Sequence, residues 1–227
     1  MPSKEKRLPP NYPAIIACMI FSFLALHCGA TQPVRVLDDG ATKVSASLGG
    51  PFIPLGNTVV PIPYLTAGVQ HGYTGSTTLT ANAHLLTALF GDIGIDVGAA
   101  RRILQEDELV PEVTAKAQMY FFDDVRRGNN PRFFPMLTVN ASYRAGSSTL
   151  VYFGADNFFQ FSTPSYFISP FVGTQFPLSR SVEMQVESKW MAANVNTAHG
   201  VFEGEGSVGG NGNIGLFVGF NYSLNSP

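Results

Sequence analysis

From residue 42 onward, apolar and polar side chains alternate with a period of two, in segments broken by Gly, Pro, Asn and Asp. Val44, Ala46 and Leu48 alternate with Ser45, Ser47 and Gly49; Leu65, Ala67 and Val69 alternate with Thr66, Gly68 and Gln70. Leu79, Ala81, Ala83 and Leu85 interleave with Thr80, Asn82 and His84, and Ile93, Ile95 and Val97 with Gly94, Asp96 and Gly98. The second half continues: Val113, Ala115, Ala117, Met119 and Phe121 against Thr114, Lys116, Gln118 and Tyr120, then Leu137, Val139, Ala141 and Tyr143 against Thr138, Asn140, Ser142 and Arg144. Residues 150–156 and 166–176 read as aromatic-rich strands whose facing the pattern leaves open. Val182, Met184, Val186 and Trp190 oppose Glu183, Gln185, Glu187 and Lys189. In the last segment Ile214, Leu216, Val218, Phe220 and Tyr222 share one face, while Asn213, Gly215, Phe217, Gly219 and Asn221 share the other.

These are about ten segments of about ten residues, the length a tilted strand needs to cross a bilayer, in the even number of single-chain bacterial barrels. The pattern predicts an all-β fold: a single antiparallel transmembrane β-barrel of about ten strands, with eight or twelve also allowed, over residues 41–224. With both termini on the inner side, longer connections (51–61, 123–132, 157–165 and 194–212) fall outside and short turns at 73–75, 145–147 and 178–180 fall inside. Residues 90–92 and 102–111 depart from that rule, the first short and outer, the second longer and inner.

The N-terminus has another character. Lys4, Lys6 and Arg7 precede an apolar run from 14 to 26 and the small residues after it, the layout of a secretory signal peptide over 1–28. Residues 29–40 read as a short tether. Cleavage falls before Cys28, with acylation of that thiol, or after Ala30, with Cys28 and Ala30 as the small recognition residues; the first is the expectation taken here. Cys18 and Cys28 both lie in this region, which leaves the following domain without a disulfide or a thiolate metal site.

Composition sharpens the membrane reading. Only 13% of residues are charged, about half the ~25% of ordinary soluble domains. The polar positions are mostly Ser, Thr, Asn, Gln and Gly, which suit a crowded interior better than a wet surface. A net charge of −2 without a basic cluster excludes a nucleic-acid partner.

The terminal strand resembles the closing strand of bacterial outer-membrane β-barrels, and the chain as a whole resembles the small OmpA- and OmpX-like barrels carrying a lipoprotein-type signal. Asn213, Gly215, Val218 and Phe220 stand where that family places a polar residue, a glycine, a hydrophobic residue and an aromatic, although residues 221–227 follow the aromatic. The resemblance implies an outer-membrane location in a Gram-negative-type bacterium, lipid as the surrounding partner, and an insertion machinery that reads those four residues.

Candidate chemistry is sparse. His71 sits at a turn beside Tyr73, and His84 lies among Thr80 and Asn82 with Leu86 two residues on, where a barrel deacylase would carry Ser. His199 neighbours Glu203 and Glu205 in a glycine-rich loop without metal-ligand spacing. No catalytic, metal or cofactor site is therefore assigned. The polar set with most meaning is Asp96, Lys116, Arg144, Glu183, Glu187 and Lys189, expected to face the lumen, to pair there and to plug it, with Glu183 or Glu187 bonded to Lys116 or Arg144. The expected role is structural or surface-exposed, with narrow-pore activity as a variant. A soluble calycin-like barrel lipoprotein with an apolar ligand inside is the alternative from another class, and a lipid-modifying barrel enzyme is a further one.

Overall fold

The computed structural model describes residues 33–55, 58–61, 64–126, 131–161, 166–196 and 207–224. The expected signal peptide, Cys28 and the loop holding His199, Glu203 and Glu205 lie outside the described residues. The strands are β1 (Thr42–Leu55), β2 (Thr58–Pro61), β3 (Tyr64–Thr74), β4 (Thr77–His84), β5 (Asp92–Leu104), β6 (Glu112–Asp124), β7 (Arg132–Ala145), β8 (Thr149–Phe159), β9 (Tyr166–Pro177), β10 (Val182–Asn196) and β11 (Asn211–Ser223). Each pairs antiparallel with its neighbour, and β11 returns to β1, so the sheet closes on itself. Because β2 pairs only with the far end of β1, the wall is a closed ten-stranded barrel with a hairpin extension.

Closure follows from register. Val44 lies opposite Tyr222, Ala46 opposite Phe220 and Leu48 opposite Val218, so apolar faces continue across the seam. The outward positions are apolar all round: Leu48 is 52% exposed, Val97 55%, Val139 50%, Phe153 52% and Val172 54%. Inward positions are polar, with Asp96, Lys116, Gln185, Glu187 and Lys189 all buried. The calycin reading needs the reverse arrangement, apolar inside and polar outside, and the side-chain partition runs against it.

Both ends of the barrel domain, the short turns and the connection 105–111 lie at one rim, here the termini rim; the remaining connections lie at the other, the loop rim. Two local expectations change, and β10 carries an irregularity. Residues 58–61 are strand rather than loop, paired from Phe52↔Pro61 to Leu55↔Thr58. Leu85 does not extend its strand: β4 ends at His84 and a helical turn, α1 (Leu85–Leu89), begins there. Finally, Ala192 takes a positive φ of 51°, and the β10–β11 register shifts between Met191 and Asn196, a bulge near the loop rim.

Candidate functional site: the filled lumen

The lumen is packed in three layers. Nearest the termini rim, residues 33–40, expected as a tether, run inside the barrel. Val34 is 2% exposed and packs against Tyr152 and Phe171. Asn140 Nδ2 donates to the Pro33 carbonyl at 3.3 Å, and the Leu37 N–H donates to Thr78 Oγ1 at 2.7 Å. Arg35 donates to Ser142 Oγ at 3.0 Å and pairs with Glu106 at 2.9 Å, with Glu112 at 3.9 Å. The segment returns to the wall where Gly40 N–H donates to the Gly72 carbonyl at 2.9 Å.

The middle layer holds the charges. Lys189 Nζ lies 2.5 Å from Asp156 and 3.1 Å from Glu187, above the rings of Phe171 and Phe217. Thr138 Oγ1 donates to Asp156 at 2.6 Å, Tyr152 Oη to Glu187 at 3.1 Å, and Gln185 Nε2 to Tyr152 Oη at 2.7 Å. Every charge in this group is thus met by an opposite charge or a donor, which a dry interior requires. Across the lumen, Asp96 accepts from Asn82 at 2.7 Å and from Gln118, and lies 3.0 Å from His84 Nε2 without hydrogen-bond alignment. The other His84 nitrogen bonds Tyr64. Lys116 is buried as well.

Toward the loop rim the lumen turns apolar. Tyr120, Phe122, Met136, Phe158 and Phe167 form one buried cluster, with Phe134, Ala192 and Val195 packed on it. The His84 ring lies 5.5 Å from Tyr120 and 5.0 Å from Phe122, linking this layer to the charged one. Above it, Arg132 pairs with Asp92 at 2.8 Å.

Of the six charges expected in the lumen, Asp96, Lys116, Glu187 and Lys189 are there, buried. Arg144 is not: its side chain is 65% exposed at the termini rim, where it lies 3.4 Å from Glu106. Glu183 points inward but sits near the same rim, 2.6 Å from Lys43 and bonded by Gln175 at 3.0 Å. Glu183 pairs with Lys43, and Glu187 with Lys189, two residues along the same strand. Asp156, Tyr152, Lys43, Arg35, Glu106 and the His84–Tyr64 contact were missed. Alternation would have found Tyr152 and Asp156 had β8 been phased, since both occupy even positions of one strand. Of the aromatics near strand ends, Tyr64 and Phe134 are inside, whereas Tyr73, Phe90, Phe133, Tyr143, Phe220 and Tyr222 are exposed. The four residues of the insertion signal all lie on β11, Gly215 buried and Val218 and Phe220 outward.

Among the described residues, no three His, Cys, Asp or Glu side chains gather to hold a metal ion. No known family model matches the chain, and no curated protein matches it. Solved structures are similar to it at low identity. An outer membrane channel from Pseudomonas putida has 10% identity and a TM-score of 0.44, covering 86% of this chain and 100% of that one. The translocator domain of the autotransporter NalP from Neisseria meningitidis has 8% identity and a TM-score of 0.42, covering 92% and 95%. The attachment invasion locus protein of Yersinia pestis has 9% identity and a TM-score of 0.29, covering 82% and 99%. The assignment as a closed antiparallel β-barrel rests on the chain's own strand ladder.

Proposed function

We propose that this chain is an outer-membrane β-barrel protein whose filled lumen makes it a structural or surface-exposed component rather than a pore. The observation that carries the reading is the partition of side chains: an apolar belt faces out while ionised groups are buried inside. Water would drive such a belt to aggregate, whereas a bilayer accommodates it. Placement in the outer membrane of a Gram-negative-type bacterium draws further support from the N-terminal signal layout and the Asn213, Gly215, Val218 and Phe220 pattern, which the insertion machinery would read. The termini rim is then periplasmic and the loop rim faces outward. The packed lumen argues against conduction, because three successive layers of contacts occupy its length. Barrels of this strand number have little interior to spare, unlike sixteen-stranded porins.

Two measurements test the proposal. Detergent-extracted protein should migrate faster on a gel before boiling than after, as a barrel that resists detergent unfolding does. In planar bilayers it should give no stable, large single-channel openings. Protein that stays soluble and monomeric without detergent after signal removal would overturn the membrane assignment, and large openings would overturn the filled lumen.

A further inference from the structure

The barrel wall is interrupted between β9 and β10 near the loop rim. The ladder joining these strands ends at Lys189↔Phe171, yet β9 extends back to Tyr166 and β10 runs on to Asn196. On the other side of β10, the ladder to β11 jumps from Met191↔Asn213 to Asn196↔Asn211, so β10 advances five residues while β11 advances two. Among the described residues, Ala192, Ala193, Asn194 and Val195 thus have a ladder partner on neither side. Ala192, with a φ of 51°, holds a conformation that strains a residue with a Cβ. Pro170, next to the last ladder pair, has no N–H to give. Side chains stitch the gap instead. Asn194 Nδ2 donates to the Tyr166 carbonyl at 2.9 Å, the Ile168 N–H donates to Asn194 Oδ1 at 2.8 Å, and the Ala192 N–H donates to Ser169 Oγ at 3.1 Å.

The two faces of this seam decide what passes it. Outside stand Tyr166 and Val172, both exposed, with Ile168 and Pro170 between them on the same parity. Inside lies the cluster of Tyr120, Phe122, Met136, Phe158 and Phe167, and Ala192 and Val195 of the unladdered segment pack directly on it. A breach between an apolar outer face and an apolar interior offers a polar solute no partner, whereas a hydrocarbon chain stays dry throughout. Backbone outside a ladder is tolerated at membrane depth only where protein or a cavity receives its polar groups, the part Asn194 and Ser169 play here. We propose that residues 192–195 form a lateral gate, through which one acyl chain of an outer-leaflet lipid passes between β9 and β10 to lie among Met136, Phe158 and Phe167. Opening exchanges three side-chain bonds rather than a run of ladder bonds. The unbranched Met136 and the rings around it yield to a flexible chain more readily than the ion-paired layer beneath, which stops the chain from going deeper.

The gate rests on the membrane location proposed above, and one experiment separates the two. The full chain, made in a Gram-negative host, is reconstituted into phosphatidylethanolamine vesicles containing a phospholipid with a diazirine at the end of one acyl chain. After illumination, labelled residues are mapped by peptide mass spectrometry. Label on the outward Leu137, Phe153 and Val172 reports the lipid-facing wall, and label on the buried Met136, Phe158 or Phe167 reports the gate. Asn194→Ala removes two of the three stitching bonds and should raise the inner label several-fold with the outer label unchanged. Met136→Trp fills the cluster and should lower the inner label at Phe158 and Phe167; heat-modifiable migration shows that each variant is folded. Outer label without inner label, in the parent chain and in Asn194→Ala alike, overturns the gate and leaves the barrel standing. Absence of label at both sets overturns the membrane location, and the gate with it. An inner label that neither substitution changes overturns passage through this seam.

Discussion

Lys189 shows how a single charge is tolerated at the centre of this molecule. Its ammonium is 1% exposed and offsets its lost hydration with Asp156, Glu187 and two ring faces. Lys189→Met removes the cation and leaves two buried carboxylates without it, so it should destabilise the barrel by about 3–5 kcal/mol. Urea unfolding in detergent or lipid measures this, and adding Asp156→Asn to the Met variant should recover part of the loss. At the termini rim, the Arg35 guanidinium beside Glu106, helped by the Arg144 backbone N–H, holds the Glu106 carboxyl below the usual carboxylate range. A lowered folded-state value means that the pairing stabilises the plug fully above the ordinary carboxylate pKa of ~4.3 and is lost as pH falls through the folded value. The accessibility of a spin label attached at Val36 to a water-soluble relaxation agent should therefore stay low above the ordinary carboxylate pKa of ~4.3 and rise on the acid side of it; Glu106→Gln should raise it at neutral pH and flatten that acid-side rise. Parity along a strand makes the facing of Lys116, Glu187 and Lys189 legible, but not depth along the barrel axis. That is why Arg144, on an inward parity, emerges at the rim, and why Glu183 meets Lys43, a neighbour across the closing seam that no local pattern announces.

At the scale of the element, alternation was informative wherever one face is small or polar and the other aliphatic, as in β5, β6 and β11. It failed where both faces carry aromatics: β8 and β9 turn Phe158, Phe167 and Phe171 inward and Phe153 and Val172 outward, so hydrophobicity alone cannot phase them. Room for those inward rings comes from glycine, since a Cβ on Gly154 would lie 2.6 Å from Phe171 Cζ. The plug was illegible for another reason: residues 33–40 have no periodicity of their own, and their partners lie on β4, β7, β8 and β9. The strand most directly read from sequence, β6, also gives the clearest test of its outer face. Ala117 is exposed at mid-strand, opposite Ala99 on β5 and Leu137 on β7. Ala117→Arg should cost roughly 2–4 kcal/mol in a bilayer, seen as a lower urea midpoint. The same change in a soluble barrel would cost far less.

The whole molecule is a wall of ten strands closed around its own N-terminal segment, a charged middle and an aromatic layer. Its polar contacts lie inside and its apolar side chains outside, the partition on which the proposed membrane location rests. One measurement reaches this account most directly: spin labels placed singly along β6, with relaxation by oxygen and by a water-soluble nickel chelate recorded in lipid vesicles. Labels at Ala115, Ala117 and Met119 face out, and those at Thr114 and Gln118 face the lumen. The account predicts fast relaxation by oxygen and slow relaxation by the nickel chelate at the first three, and slow relaxation by both at the last two. Nickel access at 115, 117 and 119 would contradict the lipid-facing wall, and nickel access at 114 and 118 would contradict the filled lumen.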